Sequence, residues 1–304
     1  MLKMPFDFIL VDSIECKLKK IKKLGNGGTA NVNLYKCKES KNHICNKFYV
    51  IKEIIKNPQK HNCNNESFEK KAKKAIIGEY IINKILKHPN IIKIEGIDIK
   101  NLSFLYKYEN SKDLFYYFVQ KNYNAKLYFK YYIQVINAVK YMHSMGIAHM
   151  DLKLENILLN PIENKIKLID FGHSCFFRKG KNIIYNKGIK GTEYYIPPEM
   201  WKASYMSDKV DIWCCGILLY NFIYNKMPWD IADEYKDELY LQFKRDRVNN
   251  KLSSFIFEDP MDYGFNDNDS CIIKDLFLDM LNINYYNRCS INDINQKILK
   301  ITLE

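Results

Sequence analysis

The chain has 304 residues, room for one large domain or two compact lobes around an ample core. Hydrophobic residues make up 47% and charged residues 27%, a balance that excludes wholesale disorder and leads us to expect a soluble globular fold. Lys and Arg outnumber Asp and Glu by 47 to 35, a formal charge of +12 that attracts acidic partners; no groove-reading motif accompanies the excess, so nucleic acid is not an expected partner.

The opening residues, MLKMPFDFILVD, lack a basic segment followed by a long apolar run and a small-residue cleavage site, and so do not read as a signal peptide. Leu2 excludes N-myristoylation. Lys17, Lys19, Lys20, Lys22 and Lys23 form a solvated-looking cluster. Up to about residue 100 the chain alternates in strand fashion. IKKLGNGGTANVNLYKCK reads as strand, Gly-rich turn and strand, and FYVIKEII as a further apolar strand. The polar stretch NPQKHNCNNES is a loop, leading into a lone helix from about Glu66 to Leu86 that begins with Lys70, Lys71, Lys73 and Lys74. It stops before His88-Pro89-Asn90, where Pro89 disfavours continuation.

Beyond that point helical periodicity dominates. LYFKYYIQVINAVKYMHSMG sets Tyr128, Tyr132, Val135, Ile136, Val139 and Met142 at spacings of three and four, a helix with one apolar face that stops at Gly146. The longest strongly apolar stretch, Ile212 to Tyr224, is interrupted by Asn221 and falls short of the ~20 residues a spanning helix needs, so it reads as a buried core helix and no membrane partner is expected. There is no internal repeat, heptad pattern or low-complexity tail.

Nine cysteines occur without a CxxC pair, and an odd count with no secretory leader points to reduced thiols and a cytoplasmic setting, a nuclear one being left open; disulfides are not expected. His43 and Cys45, then His61 and Cys63, form two HxC pairs, but their spacing matches no zinc finger type, and chance placement in loops is the better reading.

Four segments carry the chemistry: LGNGGTANV at Leu24 to Val32, YVIK ending at Lys52, HMDLKLEN at His149 to Asn156, and DFG at Asp170 to Gly172. Taken singly most are weak. A Gly-rich turn is usually just a turn, Lys52 reads equally as a strand-edge lysine reaching solvent, and a bare DFG means little. An ammonium in an apolar strand does call for a carboxylate partner. HMDLKLEN is the most specific, because three polar groups of defined type fall together on a loop after an apolar helix.

In this order, and with GTEYYIPPE at Gly191 to Glu199 in place of that family's GTxxYxAPE, the segments resemble the eukaryotic-type serine/threonine protein kinase catalytic domain, from about Leu18 to the C-terminus. The resemblance implies an α+β, bilobal fold with a small β-rich N-lobe carrying one main helix and a larger α-rich C-lobe. It implies a single kinase domain over residues 1–304, with an N-terminal extension at 1–17, an N-lobe at about 18–106 and a C-lobe at about 110–304. The implied activity is transfer of the γ-phosphate of ATP, with Mg2+, to a Ser or Thr hydroxyl of a protein substrate by a monomer; the alternative is a pseudokinase acting as a binding scaffold.

By the same resemblance Asp151 accepts the proton of the attacking hydroxyl, Lys153 neutralises charge on the phosphoryl in flight, and Asn156 and Asp170 hold magnesium. Thr192 braces Asp151 and Lys153, and counting back from His88-Pro89-Asn90 makes Glu79 the partner of Lys52. Leu24, Gly25, Asn26, Gly27, Gly28, Val32, Val50, Lys52, Tyr106, Lys107, Tyr108, Asp113 and Leu158 surround the nucleotide, with Gly25 and Gly27 letting backbone amides approach phosphate and Val32 covering the adenine. Phe171 packs against the lone helix, Glu199 pairs with Arg288, and Asp211 both caps its helix and tethers the catalytic loop.

Several residues depart from the family pattern. Ala30 replaces the third glycine and should stiffen the loop tip; Val50 and Tyr106 narrow the adenine pocket; Asn83 sits where a hydrophobe is usual and needs a hydrogen-bond partner. Met150 precedes the catalytic aspartate in place of arginine, and between Cys175 and Lys190 only Tyr185 carries a hydroxyl, amid Arg178, Lys179, Lys181, Lys187 and Lys190. Activity independent of activation-loop phosphorylation is therefore expected. Glu155 would favour a basic residue upstream of the acceptor, whereas Asn221 stands where basophilic relatives often place a second acid.

Overall fold

The computed structural model describes residues 9–10, 16–26, 30–40, 43–44, 47–55, 65–120, 123–201, 204–249, 251 and 256–303. They fall into two compact units, Met1–Lys87 with Ile92–Asn110, and His88–Ile91 with Ser111–Glu304.

The first unit contains β1 (Ile9–Leu10), β2 (Cys16–Asn26), β3 (Ala30–Ser40), β4 (His43–Ile44), β5 (Phe48–Ile54), α1 (Asn65–Ile85), β6 (Ile94–Asp98) and β7 (Ser103–Lys107). The strands pair antiparallel in the order β1-β6-β7-β5-β3-β2, with β4 attached to β3. Alternation sorts the side chains. Tyr35, Cys37, Tyr49, Ile51 and Leu105 form a buried cluster on one face, with Leu18 packed against it, while Val32, Leu34, Val50, Lys52, Phe104 and Tyr106 share the other. β2 is an edge strand whose Lys19, Lys20, Lys22 and Lys23 are exposed, a charged border that discourages further strand pairing.

The expected strand, turn, strand order is present, although the turn itself lies outside the described residues. Ala30 is not at a loop tip. It opens β3 opposite Ile54, 5% exposed, so its methyl fills the sheet. The lone helix runs one residue earlier at each end than its expected span. Cys37 corrects the expectation of reduced thiols throughout: this fully buried residue is disulfide-bonded, its partner lying outside the described side chains, and spacing along the chain cannot reveal such a meeting. Cys175, Cys214, Cys215, Cys271 and Cys289 are free.

The second unit contains β8 (Lys112–Asp113), α2 (Leu114–Phe118), α3 (Ala125–Ser144), β9 (Ile147–Ala148), β10 (Ile157–Asn160), β11 (Lys165–Leu168), β12 (Cys175–Phe176), β13 (Arg178–Lys179), β14 (Asn182–Ile183), β15 (Tyr185–Asn186), β16 (Tyr205–Met206), α4 (Ser207–Tyr224), α5 (Glu238–Val248), α6 (Asp267–Met280) and α7 (Ile291–Ile298). Side chains of Asp113, Asn124, Asp237, Asn266 and Ser290 cap α2, α3, α5, α6 and α7, each worth about 1 kcal/mol.

All six apolar residues that define the α3 face are buried, and the chain leaves α3 through Gly146 at φ +76°, where an added Cβ would meet Arg178 Cγ at 2.9 Å. That glycine turns the chain toward the loop that carries Asp151. α4 is buried all round from Val210 to Tyr224, as a core helix must be. It packs closely on the segment after α6, since a Cβ on Gly216 would lie 2.6 Å from Leu281 Cδ2. The β-rich unit with one helix and the helical unit bear out the expected α+β, two-lobed class.

Candidate active site

In the first unit, Lys52 Nζ lies 3.5 Å from Glu79 Oε1, with the two side chains 15% and 8% exposed. The partner predicted by counting is thus the partner found, and it offsets the cost of burying the ammonium. Cross-strand register sets Val32 and Phe104 on either side of Lys52, and Leu34 and Tyr106 on either side of Val50. Gly25 pairs with Val32 from β2, and a Cβ built on it meets nothing within 4 Å. Gly25, Val32, Val50, Lys52 and Tyr106 therefore line one face, with the Lys52 ammonium 5.9 Å from the Phe104 ring centroid.

Leu24 sits on the β2 edge and is 41% exposed. Lys107 is exposed at the end of β7, and the Tyr108 N–H donates to Phe48 O at 3.0 Å while its ring meets that of Phe48. Gly27, Gly28 and the Asn26 side chain lie outside the described residues, as do the side chains of His43, Cys45, His61 and Cys63. Asn83 has found its partner: its Oδ1 accepts the Ile94 N–H at 2.9 Å, tying α1 to β6, while its buried Nδ2 has no hydrogen-bond partner.

In the second unit, Asp151 is 8% exposed and enclosed by donors. Lys153 Nζ stands 3.0 Å from Asp151 Oδ2 and donates to Thr192 Oγ1 at 2.5 Å; Thr192 in turn donates to Asp151 Oδ1 at 3.1 Å. Asn156 Nδ2 donates to Asp151 O at 2.8 Å and Oδ2 at 2.9 Å. These four residues form one closed network. The backbone carries it onward: Ile169 N–H donates to Asn156 O at 2.9 Å, fixing the residue before Asp170. Asp170 adopts φ +62° and accepts from Gly172 N–H at 3.4 Å. Asp113 and Leu158 pair across β8 and β10.

The loop is held from below by Asp211, whose Oδ2 accepts the His149 N–H and Oδ1 the Met150 N–H, both at 2.8 Å, with His143 Nε2 2.9 Å from Oδ2. The tethering expected of Asp211 is present. The capping is not, because α4 starts four residues earlier at Ser207 and leaves Asp211 inside the helix with its carboxylate spent on the loop. His149 is fully buried, its Nε2 3.1 Å from Ile169 O, its Nδ1 3.3 Å from the Asp151 N–H and its ring 5.2 Å from that of Phe171. Burial pushes its pKa below the ordinary value, against the opposing pull of Asp211.

Glu199 and Arg288 form a bidentate buried pair at 2.5 and 2.7 Å, and the guanidinium also lies 4.7 Å from the Trp213 ring centroid. Asn221 is fully buried, accepting from Tyr195 Oη at 3.0 Å and donating to Lys226 O at 2.8 Å, so it faces no substrate. Gly191 opens the GTEYYIPPE segment, which gave it no role of its own. At φ +90° it lies flush on the loop, where a Cβ would stand 3.0 Å from Met150 O and 3.4 Å from Asp151 Oδ1. A glycine directly before the bracing threonine was the available signal.

Among the described residues no group of three or more His, Cys, Asp or Glu forms a ready metal cage. Asn156 spends its amide hydrogens on Asp151, which leaves Oδ1 as an acceptor, and Asp170 supplies a carboxylate. One carboxylate and one amide oxygen suit a hard dication that keeps waters and takes phosphate oxygens for the rest.

A model of the protein kinase domain matches residues 18–299. The chain belongs to the protein kinase family. It is 32% identical over 222 residues to the serine/threonine-protein kinase ppk8 of Schizosaccharomyces pombe, a match covering 71% of this chain and 41% of that protein. It is 34% identical over 219 residues to the nitrogen permease reactivator protein of Saccharomyces cerevisiae, covering 71% and 27%, and 32% identical over 239 residues to a probable serine/threonine-protein kinase HAL5-like of Vanderwaltozyma polyspora, covering 70% and 30%. The matched region thus covers less than half the length of each of these relatives. Among its described residues no helix is long and apolar enough to cross a membrane.

Proposed function

We propose that this kinase chain moves the γ-phosphate of ATP to a serine or threonine hydroxyl of a protein. The observation that carries the reading is the closed network around Asp151, in which a carboxylate is oriented by Asn156 and Thr192 with Lys153 beside it. In this reading Asp151 accepts the hydroxyl proton, Lys153 screens the transferring group and Thr192 braces both. Asp170 and the free Oδ1 of Asn156 hold magnesium, which when bound neutralises charge between the β- and γ-phosphates. Lys52, oriented by Glu79, contacts the phosphates, with Leu24, Gly25, Asn26, Gly27, Gly28, Val32, Val50, Tyr106, Lys107, Tyr108, Asp113 and Leu158 on the nucleotide side. Asp151→Asn should lower magnesium-dependent phosphorylation of a serine peptide by about 10²–10⁴-fold while nucleotide uptake, read by calorimetry, persists. Unchanged transfer would sink the assignment.

The same reading holds that no activation-loop phosphate is required. Three strand pairs support it: β12 on β9, β13 on β14 and β15 on β16, so the segment from Cys175 to Asn186 is organised by backbone hydrogen bonds. Met150, 1% exposed, has no side-chain donor for a phosphate. Phosphatase-treated protein should keep its rate; recovery only on modification of Ser174 or Tyr185 would overturn the reading.

A further inference from the structure

α1 turns two polar side chains inward. Among its described side chains Ile76, Glu79, Ile82 and Asn83 are buried, and the spacing of four sets Glu79 and Asn83 one turn apart on the same face. Ile76 and Ile82 hold that face by apolar burial, an attraction without direction that lets a helix turn or slide against its neighbours. Glu79 is the residue such a shift would misplace, because its carboxylate meets Lys52 Nζ of β5 at 3.5 Å.

Asn83 supplies the missing direction. It is 1% exposed, and its Oδ1 accepts the Ile94 N–H at 2.9 Å. The bond falls at an irregularity in β6, where pairing with β7 skips from Ile94 to Gly96, the kind of slip that re-aims groups beside functional sites. From there the register leads to Lys52: Ile94 pairs with Tyr106, Tyr106 with Val50, and Lys52 follows Val50 by two on the same face. Helix and sheet are therefore joined at two points one turn apart, Asn83 to the backbone of β6 and Glu79 to a side chain of β5. Packing does not account for the asparagine, since its buried Nδ2 has no hydrogen-bond partner, a desolvation cost that the Oδ1 bond must offset.

We propose that Asn83 is a positioning residue for the Lys52–Glu79 pair: its bond to Ile94 sets the rotation and axial position of α1 and so keeps the Glu79 carboxylate turned toward Lys52. Asn83 acts through Glu79. The inference rests on the kinase reading, in which Lys52 contacts the phosphates.

The test is a double-mutant cycle that follows kcat and both KM values on a serine peptide. Asn83→Leu, close in size but unable to accept the Ile94 N–H, should lower kcat by about fivefold and leave the peptide KM unchanged. Asn83→Asp, isosteric and an acceptor whether charged or protonated, should return kcat to within about twofold of wild type. In a Glu79→Ala chain, Asn83→Leu should cost nothing further, because no carboxylate is left to position. Asn83→Ala also removes the acceptor and repeats the cycle, so the result does not hang on one variant folding. A wild-type rate in both Leu and Ala variants, an Asp variant as slow as the Leu variant, or a loss that multiplies in full with that of Glu79→Ala overturns this inference and leaves the kinase reading standing. Absence of magnesium-dependent transfer by the wild-type chain overturns the kinase reading and this inference with it.

Discussion

The two regions that carry the candidate residues are built to different tolerances. Around Asp151 many polar groups are set by short bonds, several from backbone: Asp211 takes two amides at 2.8 Å, Asn156 reaches Asp151 twice within 2.9 Å, and Gly191 lies close against Met150 O. Met150 and Asp170 hold positive φ values of +69° and +62°, conformations that cost of order 1–3 kcal/mol and persist only where surroundings over-determine them. In the first unit the corresponding meeting is between two side chains, Lys52 from a strand and Glu79 from a helix, at 3.5 Å. On the proposed reading, the group that takes the proton has its position fixed before substrate arrives, whereas the one that positions phosphate works through a flexible four-carbon stem.

That contrast fails or sharpens under mutation, and the largest effect comes first. Asp151→Asn and Glu79→Gln each remove one negative charge, but the first should cost about 10³ in kcat and the second only about tenfold, since Lys52 keeps an amide oxygen to bond. Equal losses would erase the distinction. Next in size is Arg288→Ala, which strands the buried Glu199 carboxylate and should destabilise the chain by about 3–5 kcal/mol in denaturant unfolding. A loss near zero would mean that the pair adds nothing to the folded state. Gly191→Ala is smaller, about 1–3 kcal/mol, from the +90° φ and the 3.0 Å approach to Met150 O. It should also lower kcat, because the displaced atoms border Asp151; an unaltered kcat would show that the loop tolerates a shift.

How much of this was readable beforehand follows the same division. Glu79 came from the family resemblance, by counting back from His88-Pro89-Asn90, and the α3 core came from the three-and-four spacing of its apolar residues. Arg288 and Glu199 were paired through their motif context alone. What escaped depends on where chains meet. Asp211 was read as a cap because the apolar run begins beside it, yet Ser207 starts the helix, since a polar first turn belongs to α4 as fully as its buried turns do. Asn221 stands where basophilic relatives often place a second acid, and Tyr195 and Lys226 occupy both ends of its amide. The contact of Gly191 with the loop joins segments distant in sequence, for which spacing carries no signal.

The smallest expected effect probes the rigid region through a proton. His149 is fully buried, with Nε2 facing Ile169 O and Nδ1 facing the Asp151 N–H, a bonding pattern that needs the neutral ring donating from Nε2. Desolvation holds its folded pKa below 6.5, although Asp211, Asp151 and Asp170 all pull the other way. The sign follows. Above pH 6.5 both folded and unfolded rings are neutral and the group contributes no slope; below it the unfolded chain binds a proton that the folded chain refuses, so stability falls as pH falls. The slope from this group is at most about 1.4 kcal/mol per pH unit, and it vanishes once the folded ring also titrates. Comparing urea unfolding of wild type and His149→Asn at pH 7.5 and about pH 5.5 isolates the contribution as the difference in slope. A variant whose stability falls as steeply as the wild type between those values would show that the ring protonates freely, and that the loop around Asp151 is looser than its hydrogen bonds indicate.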